Sequence, residues 1–173
     1  PDPNLAEENG MLAIGGDLST ARLLEAYKSG IFPWFEDDVP LWWSPDPRLV
    51  LFPDELKIST SMKALLKRKA FSFTINKAFP EVIRNCKSVR RDGQAGTWIT
   101  EEMQNAYTEL HNLGFAFSAE AWNDGELAGG LYGIKMGKMF FGESMFSHQS
   151  NASKYAFISM VEQLKSEGIA LID

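Results

Sequence analysis

Between Ile31 and Pro53 the chain carries five prolines (Pro33, Pro40, Pro45, Pro47, Pro53) and three tryptophans (Trp34, Trp42, Trp43). A proline has no N–H to donate and its ring clashes with the preceding turn, so neither a long helix nor a central strand is expected there. The segment is predicted to be packed, rigid and irregular, closing a small N-terminal domain over residues 1–56. Beyond it the hydrophobic period becomes regular, and residues 57–173 read as a second, larger domain. A chain of 173 residues is long enough to bury a sizeable core in that arrangement.

Before the proline-rich segment, Leu23, Leu24 and Tyr27 fall at helical spacing in a stretch that Ser19 can cap and Gly30 can end. After it, a short basic helix is expected from Ser61 to Lys69, a strand from Phe71 to Ile75, and a helix opened by Asn76 and Pro80. Thr100-Glu101-Glu102 begins a stronger helix, with Met103, Ala106, Tyr107, Leu110 and Leu113 on one face and Gly114 as its stop. Three strands follow, Phe115 to Trp122, Leu127 to Ile134 and Lys138 to Phe146, separated by turns at Asn123-Asp124-Gly125-Glu126 and Met136-Gly137. A helix from Asn151 to Glu167 returns the chain to a last strand, Ile169 to Asp173. A strand that follows a crossover helix pairs most easily parallel to one before it. The expected fold class is therefore α/β (α+β), a small N-terminal domain plus a GNAT-like acyltransferase domain with a mixed sheet.

The net charge of -6 and pI near 5.0 argue, taken alone, against a nucleic-acid partner. The distribution of charge argues the other way. From Lys57 to Arg91 there are ten basic residues, among them Lys63, Lys67, Arg68 and Lys69, against the single acid Glu81, a local charge of +9. The remainder of the chain then carries -15, the pattern of a localised polyanion footprint on a repelling body, or of a solvated helix face.

Several chemistries are excluded or disfavoured by composition. The histidines, His111 and His148, lie far apart, and the lone Cys86 has no partner for a disulfide or a CxxC pair, so no metal site is expected and a reducing, cytoplasmic setting is. No apolar run approaches a membrane span, and Pro1-Asp2-Pro3-Asn4 does not open a signal peptide, although a start without Met suggests residues upstream. GxSxG, GxGxxG and Walker loops are absent. The loop Ser147 to Lys154, where a CoA pyrophosphate would need glycines, has none. What remains is Glu143, a carboxylate inside the apolar strand Phe140-Phe141-Gly142-Glu143-Ser144-Met145-Phe146. Strict alternation puts Phe141, Glu143 and Met145 on one face and Phe140, Gly142, Ser144 and Phe146 on the other. Glu143 reads either as an edge-strand gatekeeper or as a partly desolvated acid with raised proton affinity. Gly129, Gly130 and Gly133 on the preceding strand favour the second, since three glycines weaken a strand unless a ligand or another backbone approaches. Trp42 and Trp43, with Ser44 to Arg48, read as core and turn. Trp34 and Trp98, beside proline or glycine, read as core residues or as rings presented to stack on a base.

Taken together, Phe32-Pro33-Trp34-Phe35, Trp42-Trp43-Ser44-Pro45-Asp46-Pro47-Arg48, Gly96-Thr97-Trp98-Ile99-Thr100, Gly129-Gly130-Leu131-Tyr132-Gly133, Phe141-Gly142-Glu143-Ser144-Met145-Phe146-Ser147, Asn151-Ala152-Ser153-Lys154 and Leu171-Ile172-Asp173 resemble the bacterial leucyl/phenylalanyl-tRNA-protein transferase family, in order and over essentially the whole chain. The resemblance implies an aminoacyltransferase. It would move Leu or Phe, and also Met, from aminoacyl-tRNA to proteins with N-terminal Arg or Lys, marking them for N-degron proteolysis, with no cofactor. It implies that Trp34 and Trp98 hold the 3' terminal adenosine, with Tyr27 and Tyr107 near the site. Leu131, Phe140, Met145, Phe157, Met160 and Ile172 would line the side-chain pocket, and the basic segment would meet the tRNA backbone through Lys63, Lys67, Arg68 and Lys69.

Glu143 and Asp173 match the family carboxylates and are read as a pair that orients the substrate and relays protons without a covalent enzyme intermediate. In the family the Leu-Ile-Asp motif continues to a Cys and a Gln that helps activate the amine, so a further catalytic group and a further piece of sheet are expected beyond Asp173. This chain also has Phe115 and Phe117 where many members carry histidines, and Thr60 and Ala64 at positions that are often basic. Two other readings stay open on the residues alone: a CoA-dependent N-acyltransferase of the GNAT type and a non-catalytic RNA-stem-binding module.

Overall fold

The computed structural model describes residues 1–36, 38–88 and 99–173. Its smaller sheet places β3 (Leu41–Trp43) between β1 (Met11–Ile14) and β2 (Phe32–Pro33), antiparallel to both. The proline-rich segment thus does supply a central strand, against the sequence expectation. The reason is placement: Pro40 and Pro45 flank the three-residue strand, and Pro33 sits in an edge strand. The Trp42 indole N–H donates to Gly15 O at 2.9 Å and that of Trp43 to Trp34 O at 2.6 Å, which fixes the segment. Between β1 and β2 runs α1 (Thr20–Lys28). Ser19 stands at its N-cap without a side-chain cap bond, and Asp17 Oδ1 instead accepts from Ser19 N at 2.9 Å.

The larger sheet has the order β4 (Ser72–Ile75), β5 (Ala116–Asn123), β6 (Glu126–Met136), β7 (Met139–Ser147), β8 (Leu171–Ile172). Neighbouring strands from β4 to β7 are antiparallel, and β8 runs parallel to β7 after the crossover helix α5 (Ala152–Ser166), as the sequence predicts. Asp124 and Gly125 take positive φ of 50° and 84°, the backbone that a two-residue hairpin between twisted strands requires.

The two faces of this sheet are covered by different helices. α5 and α2 (Thr60–Lys67) bury Met62, Tyr155, Ala156 and Leu164 against Ala119, Leu131 and Phe140. On the other face, α3 (Phe79–Ser88), α4 (Glu101–Asn112) and α1 enclose Tyr132, Ile134, Phe141 and Phe146. The Thr100 hydroxyl caps α4 by accepting from Met103 N at 3.1 Å. Leu23, Tyr27 and Trp42 belong to the same buried cluster, so the smaller sheet and α1 share a core with the larger one.

The glycines of β6 answer to close approach of protein. A Cβ on Gly133 would stand 2.2 Å from Phe141 O, and one on Gly129 2.8 Å from Ala152 Cβ and Ser153 N. No described helix is long and apolar enough to cross a membrane.

Candidate active site

Pairing of β6 with β7 slips by one residue: Tyr132 faces Ser144, but Gly133 faces Gly142, which leaves Glu143 as an unpaired bulge. The slip corrects the alternation expected from sequence. Phe141 and Phe146, five residues apart, enter the same buried cluster, while Phe140 enters the one on the opposite face. Met145 pairs with Leu131 and is 42% exposed.

The bulge turns the Glu143 carboxylate toward two buried phenols. Tyr27, from α1, donates to Oε1 at 2.6 Å, Tyr107, from α4, to Oε2 at 3.4 Å, and the two hydroxyls are 2.5 Å apart. Burial pushes the Glu143 carboxyl up from 4.5 to about 7; the phenols pull it down, the Asp173 charge adds to the rise and Arg48 opposes it. Burial, and then the Glu143 charge, hold both phenols well above 10, so they remain donors.

Asp173 follows β8 and is fixed through its backbone, its N–H donating to Phe140 O at 2.9 Å and its O accepting from Gly142 N at 2.8 Å. Its carboxylate takes a two-pronged bond from Arg48, Nε to Oδ1 at 2.7 Å and Nη2 to Oδ2. Sequence reasoning places Arg48 in a turn and misses this role. The available signal is a lone cation in a motif of prolines and tryptophans, but nothing in the pattern tells which acid it meets.

Glu143, Asp173 and Gly142 line two cavities. One, of about 300 Å³, is walled by Trp34, Phe32, Arg48 and Phe141. Trp34 is 43% exposed and sets its ring edge against Trp43, with centroids 5.5 Å apart. The other, of about 550 Å³, is apolar, lined by Leu131, Met145, Phe157 and Ile172 together with Leu49 and Leu51. Phe140 and Met160, expected in that pocket, lie instead in the buried cluster beneath it and do not line the cavity. Trp98 falls outside the described residues, as do Arg90 and Arg91.

Lys63 and Lys67 are exposed on α2, with Arg68 and Lys69 exposed just after it. α2 leads into β4, three strand spacings from β7, or roughly 14 Å across the sheet. Among the described residues no group of three or more His, Cys, Asp or Glu could hold a metal ion.

A carboxyl that titrates near 7, held by two phenols between an aromatic cavity and an apolar one, can take a proton from a group bound across both. Comparison with known proteins gives this geometry its context. Residues 50–173 match the family model described as leucyl/phenylalanyl-tRNA protein transferase, and residues 16–46 match the model for that protein's N-terminal domain. The leucyl/phenylalanyl-tRNA--protein transferase of Syntrophobacter fumaroxidans is 54% identical over the whole chain, which spans 74% of that protein. That of Flavobacterium johnsoniae is 58% identical, again over the whole chain and 82% of the relative. Among solved structures, that of L-PGS from Bacillus licheniformis superposes with a TM-score of 0.51 at 14% identity, covering 93% of this chain and 51% of that one, a likeness of fold alone. With both family models matched along its length and relatives identical at more than half of the aligned positions, this chain belongs to the leucyl/phenylalanyl-tRNA protein transferase family.

Proposed function

We propose that this protein transfers Leu or Phe, and also Met, from aminoacyl-tRNA to the α-amino group of proteins that begin with Arg or Lys, marking them for N-degron proteolysis. The observation that carries the reading is Glu143, a carboxyl with a near-neutral titration point placed where an aromatic cavity meets an apolar one. Trp34 presents a ring on which the terminal adenosine stacks, with Trp98 as the second candidate. Leu131, Met145, Phe157 and Ile172 receive the aminoacyl side chain. An apolar pocket of this kind separates side chains that differ by a methylene by only about 1–3 kcal/mol, so it admits Met and excludes charged or β-branched groups by shape and desolvation.

In the reaction the amine nitrogen attacks the ester carbonyl carbon, a C–N bond forms and the C–O bond to the ribose breaks. The proton lost by the amine goes to Glu143 and on to the departing ribose hydroxyl. Asp173 orients the pair, and Tyr27 and Tyr107 hold Glu143 in place. Positioning supplies several kcal/mol of the barrier reduction, since the ester is already activated. Lys63, Lys67, Arg68 and Lys69 contact the acceptor-stem phosphates. The larger domain, residues 57–173, is read as a GNAT-like acyltransferase domain that has exchanged CoA for aminoacyl-tRNA. Its N-terminal partner is residues 1–56.

The test is incubation of the full-length protein with radiolabelled Phe-tRNA and a peptide beginning with Arg. Label appearing in the peptide supports the reading. A protein that leaves the peptide unlabelled but is stabilised by acetyl-CoA contradicts it.

A further inference from the structure

Arg48 belongs to the proline-rich segment, yet its guanidinium is bonded to Asp173 at the end of the larger sheet and lines the cavity that Glu143 also lines. Three of its nitrogens are engaged: Nε and Nη2 on Asp173, and Nη1 on Gly30 O at 2.8 Å. Its plane also lies over the Phe32 ring, 4.7 Å from the centroid. The anchors come from separate pieces of chain, the turn after α1, strand β2 and the residue after β8.

We propose that Arg48 is a positioning residue for aminoacyl transfer: it fixes the orientation of the Asp173 carboxylate and compensates its charge, leaving Glu143 as the proton acceptor of the shared cavity. This rests on the reading of Glu143 and Asp173 as the reacting pair. A fork-to-fork guanidinium–carboxylate contact sets both the place and the rotation of the acid, which a lysine ammonium cannot do. With its backbone already tied to Phe140 O and Gly142 N, Asp173 has no freedom left to turn.

Charge gives the second half of the argument. The Asp173 charge, lining the same small cavity, raises the proton affinity of Glu143. Among the described residues, the groups that face Glu143 are Tyr27 from α1, Tyr107 from α4, Asp173 after β8 and Arg48 from the loop after β3. Of these only Arg48 is a cation, and it is bonded to the one competing anion. An uncompensated Asp173 would hold the incoming amine as its ammonium, which cannot attack.

The deciding experiment is the single-turnover rate of Phe transfer from Phe-tRNA to an Arg-initiated peptide between pH 5.5 and 9, for full-length wild type, Arg48→Met, Arg48→Lys and the double variant Arg48→Met/Asp173→Asn. In Arg48→Met the midpoint of the acidic limb should rise by about one pH unit and the plateau fall about tenfold or more. Arg48→Lys keeps the charge but not the fork, so its midpoint should stay within a few tenths of wild type while its plateau falls. In the double variant the midpoint should return toward wild type, because both charges are gone, while the rate stays low. A role limited to stapling the N-terminal segment would lower the melting temperature of Arg48→Met with midpoint and rate per folded molecule unchanged, and that result overturns the proposal. If Arg48→Met does not fold, a wild-type plateau in Arg48→Lys overturns it equally. Absence of transfer by wild type would overturn the reading of Glu143 itself, and this proposal with it.

Discussion

The larger sheet holds two enclosed glutamates, Glu120 on β5 and Glu143 on β7, and their surroundings differ in kind. Glu120 is fully buried and saturated with donors: the Thr74 hydroxyl at 2.5 Å, the Ser118 hydroxyl at 2.6 Å, and the backbone N–H groups of Ala78 and Lys77 at 3.3 and 3.5 Å, just before α3 begins. It satisfies the approach to that helix, where unpaired backbone donors accumulate. Glu143 has two phenols, one of them at 3.4 Å, faces a second carboxylate and opens on two cavities. Enclosure alone therefore does not mark a working acid. The number of donors and the opening onto a cavity separate a carboxylate that holds the fold from one placed where a substrate can reach it.

The difference can be broken by parallel isosteric changes. Glu143→Gln keeps the shape but cannot take a proton, so transfer should fall by about 10² or more in single-turnover assays at saturating substrates, with Phe-tRNA affinity nearly unchanged. Its stability should move the other way. The folded protein keeps the Glu143 proton up to about pH 7, whereas an unfolded carboxyl releases it near 4.5, so wild-type stability falls as pH rises through that window. The Gln variant lacks that loss and should melt at or above the wild-type temperature at pH 8. Glu120→Gln should do the reverse, costing on the order of 3 kcal/mol in urea unfolding because one face of the amide meets donors with a donor, while the rate per folded molecule stays at wild type. Similar responses from the two variants would erase the distinction.

Residues proposed to meet substrate without titrating should respond differently from either glutamate. Trp34→Ala should weaken Phe-tRNA binding by about 1–3 kcal/mol with an unchanged melting curve. Loss of fold with normal affinity in the remaining native fraction would make Trp34 a core residue. Smallest per residue is the basic helix. Charge reversal at Lys63, Lys67 and Arg68 should flatten the dependence of log affinity on log salt by about one for each phosphate no longer neutralised, with the preference among amino acids unchanged. Salt-independent binding by wild type would remove the tRNA footprint from this helix.

Most of the regular structure is legible in the chain because its signals are local. The Thr100 cap, the Asp124-Gly125 turn and the +3/+4 apolar set of α4 each act within a few residues. The parallel pairing of β8 follows from the crossover helix. What escapes is non-local. β1 at Met11–Ile14 is four residues long and has a sheet only because β3 lies beside it. The bulge at Glu143 adds one residue against β6, and a period-two count along β7 cannot detect a slip that exists only in the pairing. The Arg48–Asp173 contact joins positions 125 apart in sequence, and neither residue type in isolation names the other. Glu120 gives no signal of its own in an alternating strand, since its donors come from β4, from the turn before α3 and from its own strand neighbour.

The central claim is that Glu143 accepts the proton that the amine gives up. Its most direct test is the pH dependence of the single-turnover rate for the full-length wild-type protein, with Glu143→Gln measured beside it. Wild type should rise tenfold per pH unit below a midpoint near 7 and level off above it, and the Gln variant should be slow and lack that limb. A wild-type limb that persists unchanged in Glu143→Gln, at a comparable plateau, would contradict the account.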